Sequence, residues 1–280
     1  MSGVYLVNKE EGMTSFDVIA RLRKILKIKK IGHSGTLDPQ ASGLLLVLTG
    51  KYTKFIPYCV QNNKHYVARF ELGKASDTED IWGNIIATQK SNIHQQKELD
   101  EVAKQFKEIY YQTPPMYSAK KKDGKKFYEY ARSGITFERE PIKVEIKQLK
   151  VKCLGANCYE MDAIVSKGTY MRTLIVDFAK RLHELACMTS LKRVSIEHLT
   201  LDQAINIADF KENTPSLQIE ACIDPIYPLV AVNNPKAIYD GKKMIIDNDE
   251  DVVLLTYEGK ILAAYKKEST NLYHSLRGLF

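Results

Sequence analysis

Apolar positions along this chain follow two different periods. Val18, Ile19, Leu22, Ile25 and Leu26 recur at helical spacing, and Thr14-x-x-Asp17 ahead of them has the form of a capping box, so a helix is predicted to open there. Lys64 to Leu72 alternates instead, with Tyr66, Ala68, Phe70 and Leu72 on one face, the signature of a half-buried strand. Leu44 to Leu48 is a continuous aliphatic run between Gly43 and Gly50, which fits a strand or a short helix covered on both sides.

Further on, Ile93 to Tyr111 is read as an amphipathic helix that Thr113-Pro114-Pro115 ends, because proline disfavours continuation. Val144 to Val151 and Tyr159 to Val165 are predicted to pair as strands, with a turn at Lys167-Gly168 and a helix reaching about Leu185. Val252 to Tyr257 and Lys260 to Tyr265 flank Glu258-Gly259 as a hairpin would. Asp224-Pro225, Pro228 and Asn233-Asn234-Pro235 change the texture near residue 222. Two domains are expected, 1–222 and a small β-rich 223–280. Periodicity alone gives a protein of mixed helices and strands.

Composition narrows the function classes. Apolar residues make up 44% of the 280 residues and charged residues 27%, so the chain can bury a core and is not of disordered type. A formal charge of +7 favours a polyanionic partner. The positive charge is also clustered. Arg21, Arg23, Lys24, Lys27, Lys29 and Lys30 crowd ten residues with no acid among them, and Lys120, Lys121, Lys122, Lys125 and Lys126 are interleaved with tyrosines between Tyr117 and Glu140. Basic residues mixed with aromatics suit an RNA-contacting arm.

No basic leader precedes an apolar stretch at the start, and no run approaches the roughly 18 apolar residues of a membrane span, so a cytoplasmic protein is expected. Five scattered cysteines and six histidines form no ligand spacing, and neither a metal nor a cofactor is expected. Gly32-x-Ser34-Gly35-Thr36 misses the nucleophile-elbow pattern by one position, and Gly43 to Gly50-Lys51 has the wrong interval for a phosphate-binding loop. What remains is a loop carrying two glycines, a histidine, hydroxyls and an aspartate held before a proline.

That loop, Gly32-His33-Ser34-Gly35-Thr36-Leu37-Asp38-Pro39-Gln40-Ala41-Ser42-Gly43, resembles the signature of the TruB family of transfer-RNA pseudouridine-55 synthases. The resemblance extends, in order, through Val7-Asn8-Lys9, Gly12-Met13-Thr14-Ser15, Thr53-Lys54-Phe55, Lys64-His65-Tyr66, Leu72-Gly73 with Asp77-Thr78 and Asp80, Pro115-Met116-Tyr117-Ser118-Ala119, Tyr128-Glu129-Tyr130-Ala131-Arg132 and Ser166-Lys167-Gly168-Thr169-Tyr170-Met171-Arg172-Thr173.

It implies the α+β pseudouridine-synthase fold, a mixed, largely antiparallel sheet flanked by helices, with an RNA-contacting insertion near 117–142 and a PUA-like C-terminal domain. By the same resemblance Asp38 is the essential carboxylate, His33 takes the place of the extruded base, and Tyr66 stacks on the target uracil. Arg172 pairs with Asp38, Tyr170 lines the pocket, Leu191 contacts the base, and Lys9 and Lys54 support the RNA or the loop. The implied partner is the TΨC stem-loop of transfer RNA, bound by a monomer. The alternative is a non-catalytic RNA-binding or RNA-folding module on the same fold.

Overall fold

A computed structural model describes residues 2–60, 62–106 and 108–278. They form two compact units: those within 1–39, 44–61 and 201–280 make one, and those within 40–43 and 62–200 make the other.

In the first unit the helix Ser15–Leu26 begins as predicted. The Thr14 side chain accepts from the Asp17 backbone N–H while the Asp17 carboxylate reaches back to Thr14. Its buried residues Val18, Ile19, Leu22 and Leu26 pack with Tyr5, Val7, Leu45, Val47, Ile207 and Phe210 in one core. The aliphatic run resolves as a strand, Ser42–Thr49, which lies beside the strand Val4–Lys9 and pairs antiparallel with Ile31–Ser34. Parallel pairing of Val7 and Asn8 with Ile205 and Asn206 makes the sheet mixed.

Residues 229–278 of the same unit build a separate five-stranded sheet over their own core of Ile238, Ile246, Val253, Leu255, Ala263, Tyr265 and Tyr273. The predicted hairpin is there. Glu258 and Gly259 both take positive φ (49° and 72°), the geometry that matches the twist of paired strands.

The second unit is a largely antiparallel sheet, its strands ordered Ala186–Ile196, Asn63–Leu72, Cys158–Ser166, Ile142–Gly155 and Glu108–Gln112. Asn63–Leu72 alternates as its sequence requires, burying Lys64, Tyr66, Ala68, Phe70 and Leu72. Phe70 meets Phe178 of the helix Met171–Arg181, and Phe178 meets Phe106, which ties this face of the sheet to the helix laid over it.

The helix expected over Ile93–Tyr111 is corrected. Only Gln96–Lys104 is helical, and Glu108–Gln112 is a strand that buries Tyr110 and Gln112 while exposing Ile109 and Tyr111. Glu108 at φ 68° marks the break, and Ile-Tyr-Tyr prefers the pleated surface of a sheet. Lys107, inside the expected helix, lies outside the described residues.

Candidate active site

The loop that carries Asp38 leaves the strand Ile31–Ser34 through Gly35, whose φ of 81° lets the chain turn away at no steric cost. From there it is held by the turn that precedes the first helix. The Leu37 N–H donates to Ser15 Oγ (2.9 Å), and the same hydroxyl lies 3.2 Å from the Leu37 carbonyl, to which it donates. On the other side of Asp38, the Pro39 carbonyl accepts from the Gly12 N–H (3.0 Å) and from Lys9 Nζ (3.0 Å).

Lys9 is wholly buried. Its ammonium also donates to the carbonyls of Met13 (2.6 Å) and Glu10 (2.9 Å), so three donors meet three backbone acceptors. Leu37 is buried as well, whereas Asp38 is half-buried. Asp38 thereby stands on a backbone anchored on both sides, a condition under which a side chain's direction is held in advance.

His33 sits earlier on the same stretch, opposite Val47 and half-buried. Lys54 lies in the 3-10 segment Gly50–Tyr58, and its Nζ donates to the Gly278 carbonyl (2.8 Å), while Arg277 returns a bond to the Lys54 carbonyl (3.2 Å). Its observed partner is the last strand of the chain.

The other predicted residues belong to the second unit. Tyr66 and Leu191 share a sheet face: Tyr66 is opposite Arg193 and Leu191 opposite Ala68 in adjacent strands. Both are nearly covered, at 8% and 7% exposure, and Arg193 is wholly buried. Gly43 makes that arrangement possible. Ser42 and Gly43 pair in parallel with Lys192 and Arg193, and a Cβ on Gly43 would stand 2.2 Å from the Arg193 carbonyl oxygen.

Tyr170 caps the helix Met171–Arg181, and its backbone is gripped from both ends by Gln112, which accepts from the Tyr170 N–H (2.7 Å) and donates to its carbonyl (3.0 Å). Two residues later the buried Arg172 forks to the carbonyls of Thr78 (2.8 Å) and Tyr117 (2.9 Å), with Asp80 Oδ2 3.7 Å from Nη1. Asp80 Oδ1 in turn accepts from Thr78 Oγ1 (2.7 Å) and the Trp82 N–H (3.2 Å). Thr173 Oγ1 donates to Glu79 (2.6 Å), whose carboxyl burial pushes above its usual range.

The family model for the TruB family pseudouridylate synthase (N terminal domain) matches residues 23–171. The chain is 36% identical over 284 residues to the tRNA pseudouridine synthase B of Mesoplasma florum, covering 99% of this chain and 98% of that protein. It is 39% identical over 254 residues to the protein of the same name from Clostridium perfringens (strain 13 / Type A), covering 89% and 86%. The chain belongs to the TruB family. Among solved structures, the chain described as a Cbf5-Nop10-Gar1 complex superposes with a TM-score of 0.73 at 22% identity, covering 99% of this chain and 85% of that one, which shows the shared fold.

As a TruB-family enzyme, the chain makes pseudouridine, and several residues around the predicted set escaped the sequence reading. Gln112, Glu79 and Arg193 carry no motif that marks their contacts, while Ser15 and Asp80 are visible only as matching positions without a role. The basic arm is also more structured than its composition indicates: Lys122 lies over the Phe137 ring (4.4 Å), Lys126 and Arg132 over Tyr128 (5.3 and 5.2 Å), and Phe137 packs against Phe127 and Tyr130. Among the described residues no group of three or more His, Cys, Asp and Glu side chains is arranged to hold a metal ion, and no helix is long and apolar enough to cross a membrane.

Proposed function

We propose that this protein isomerises uridine 55 to pseudouridine in the TΨC loop of transfer RNA, with Asp38 as the carboxylate that acts on the sugar. The observation that carries this reading is an aspartate bracketed by two anchored residues, Leu37 and Pro39, in a chain of the TruB family.

The reaction breaks the N1–C1′ bond, turns the base and joins C5 to C1′, and the proton lost from C5 is balanced by one gained at N1. Cleavage develops positive character on the sugar, as in glycoside hydrolysis, so an ionised carboxylate beside it lowers the barrier. Asp38 serves either route open to the chemistry, attack on the ring carbon or removal of a sugar proton. A uridine stacked in an RNA loop must first be flipped out. Tyr66 then stacks on the uracil, Leu191 and Tyr170 line its pocket, and His33 fills the vacancy left in the RNA. Arg172 joins them in substrate binding, Lys9 and Lys54 support the loop and the bound RNA, and the enzyme works as a cytoplasmic monomer without metal or cofactor.

The domain boundary is placed at 222/223, with residues 223–280 as a PUA-like domain that adds RNA contact to that of the arm at 117–142. Mapping pseudouridine in an unmodified transfer-RNA transcript tests the assignment, comparing wild type with Asp38→Asn while RNA binding is followed in parallel. The expected result is product at position 55 with wild type and binding without product with the variant. Product made by Asp38→Asn would remove Asp38 from the role, and tight binding with no product from either protein would favour a non-catalytic RNA-folding module.

A further inference from the structure

The helix Ser15–Leu26 has an outward face that the catalytic reading does not use. Val18, Ile19, Leu22 and Leu26 are turned into the core, which leaves Phe16, Arg21, Lys24 and Lys27 exposed and Arg23 partly so. Phe16 presents a large apolar ring to solvent at 63% exposure. Arg23, two turns on, lies over its ring with the guanidinium carbon 5.5 Å from the centroid. Arg23 Nε is itself buried and has no hydrogen-bond acceptor among the described residues, a condition that buried donors rarely tolerate.

The charge around this pair is mostly positive. Lys27 is paired with Glu212 (2.8 Å), and Asp17, which accepts from Thr14, also interacts with the Arg21 charge. Arg21, Arg23 and Lys24 then face outward, and Lys29 and Lys30 follow just beyond the helix. An aromatic ring flanked by cations matches an unstacked nucleobase and its phosphates, since every base offers a π-face and each phosphate an anion. Phe16 is the residue after Ser15, whose hydroxyl clamps Leu37 beside Asp38.

We propose that this helix face is a binding surface for the substrate RNA, on which one nucleobase stacks against Phe16 while phosphates pair with Arg21, Arg23 and Lys24. The proposal rests on the RNA-modifying function above and identifies a contact beyond the arm and the C-terminal domain.

The test is binding of an end-labelled, unmodified transfer-RNA transcript, followed by fluorescence anisotropy across a salt series. Wild type is compared with Phe16→Ala, Phe16→Trp and the triple variant Arg21→Gln/Arg23→Gln/Lys24→Gln. Phe16→Ala is expected to weaken binding about tenfold or more, and Phe16→Trp to restore it because the larger ring stacks at least as well. The triple variant is expected to lower the slope of log affinity against log salt by about two to three. A structural role for Phe16 would shift the thermal midpoint instead, so melting curves accompany each variant.

Wild-type affinity and salt slope in both the alanine and the triple variants would overturn the proposal. So would self-association of the wild type that Phe16→Ala abolishes while RNA binding is unchanged, because the face would then belong to a second copy of the chain. Failure of the functional reading is separate: it would appear as wild-type protein that binds the transcript and makes no pseudouridine.

Discussion

The loop that carries Asp38 and the helix start that carries Tyr170 and Arg172 are held by the same device, but they differ in what reinforces it. In each, a neutral side chain with one donor and one acceptor grips both backbone groups of a single residue: Ser15 on Leu37, and Gln112 on Tyr170. Around the loop the reinforcement is backbone dipoles, the carbonyls of Glu10, Met13 and Pro39 gathered on the Lys9 ammonium. Around the helix start it includes carboxylates, with Asp80 beside Arg172 and Glu79 bonded to Thr173. The first arrangement fixes direction with little dependence on the protonation of acids. The second places acidic groups at the positive end of a helix and makes the geometry depend on charge.

The largest effect is therefore expected from Arg172→Ala. It leaves the Asp80 carboxylate and the Thr78 and Tyr117 carbonyls without the guanidinium that joins them. Removing one partner of a covered ion pair costs about 3–5 kcal/mol, read as a fall in the denaturant midpoint. Arg172→Lys keeps the charge but cannot fork to two carbonyls, so it is expected to recover only part of the loss. Full recovery by lysine would reduce the arrangement to charge alone and erase its likeness to the Gln112 clamp.

A second expectation asks how far the charge dependence of this unit reaches into its sheet. Lys64 lies on the same buried face as Tyr66, and burial, with Arg193 and Lys167 adding like charge against Glu197, pushes its ammonium down to about 8. In the unfolded chain a lysine keeps its proton up to about pH 10.4. Between those values the unfolded state binds more protons, so the contribution of this group to stability rises with pH and is least favourable below 8. Lys64→Met is expected to stabilise the protein at pH 7 by up to about 3 kcal/mol and to flatten the rise toward pH 10. Parallel stability–pH curves for wild type and variant would show that Lys64 keeps an ordinary ammonium in the fold.

The contrast between the two arrangements also explains what could be read in advance. The first helix, the alternating strand Asn63–Leu72 and the hairpin at Glu258-Gly259 follow from side-chain period and turn chemistry, which are local properties. The segment after Lys104 has apolar positions that fit a helix as well as a strand, and only pairing with Ile142–Gly155 decides between them. The position of Asp38 was visible in its motif, but the groups that hold it were not. A serine beside a capping threonine looks like any other N-terminal hydroxyl, and nothing marks Gln112 as the partner of a residue 58 positions away. Arg172 reaches Thr78 across 94 residues and Tyr117 across 55, distances at which sequence pattern carries no register.

The smallest and most specific expectation concerns Ser15. Ser15→Ala removes the acceptor for the Leu37 N–H and the donor to its carbonyl, while Lys9 and Gly12 continue to hold Pro39. A buried N–H left without a partner costs about 1–3 kcal/mol, and stability should fall by no more than that. The chemical step should suffer disproportionately. With one of its two anchors gone Asp38 samples more directions, so kcat is expected to fall about tenfold or more while KM for the transcript changes little. Ser15→Thr retains the hydroxyl and is expected to restore kcat. If Ser15→Ala lowered only the melting temperature and left kcat intact, the hydroxyl would be a structural bond, and the aim of Asp38 would rest on Lys9 and Gly12 alone.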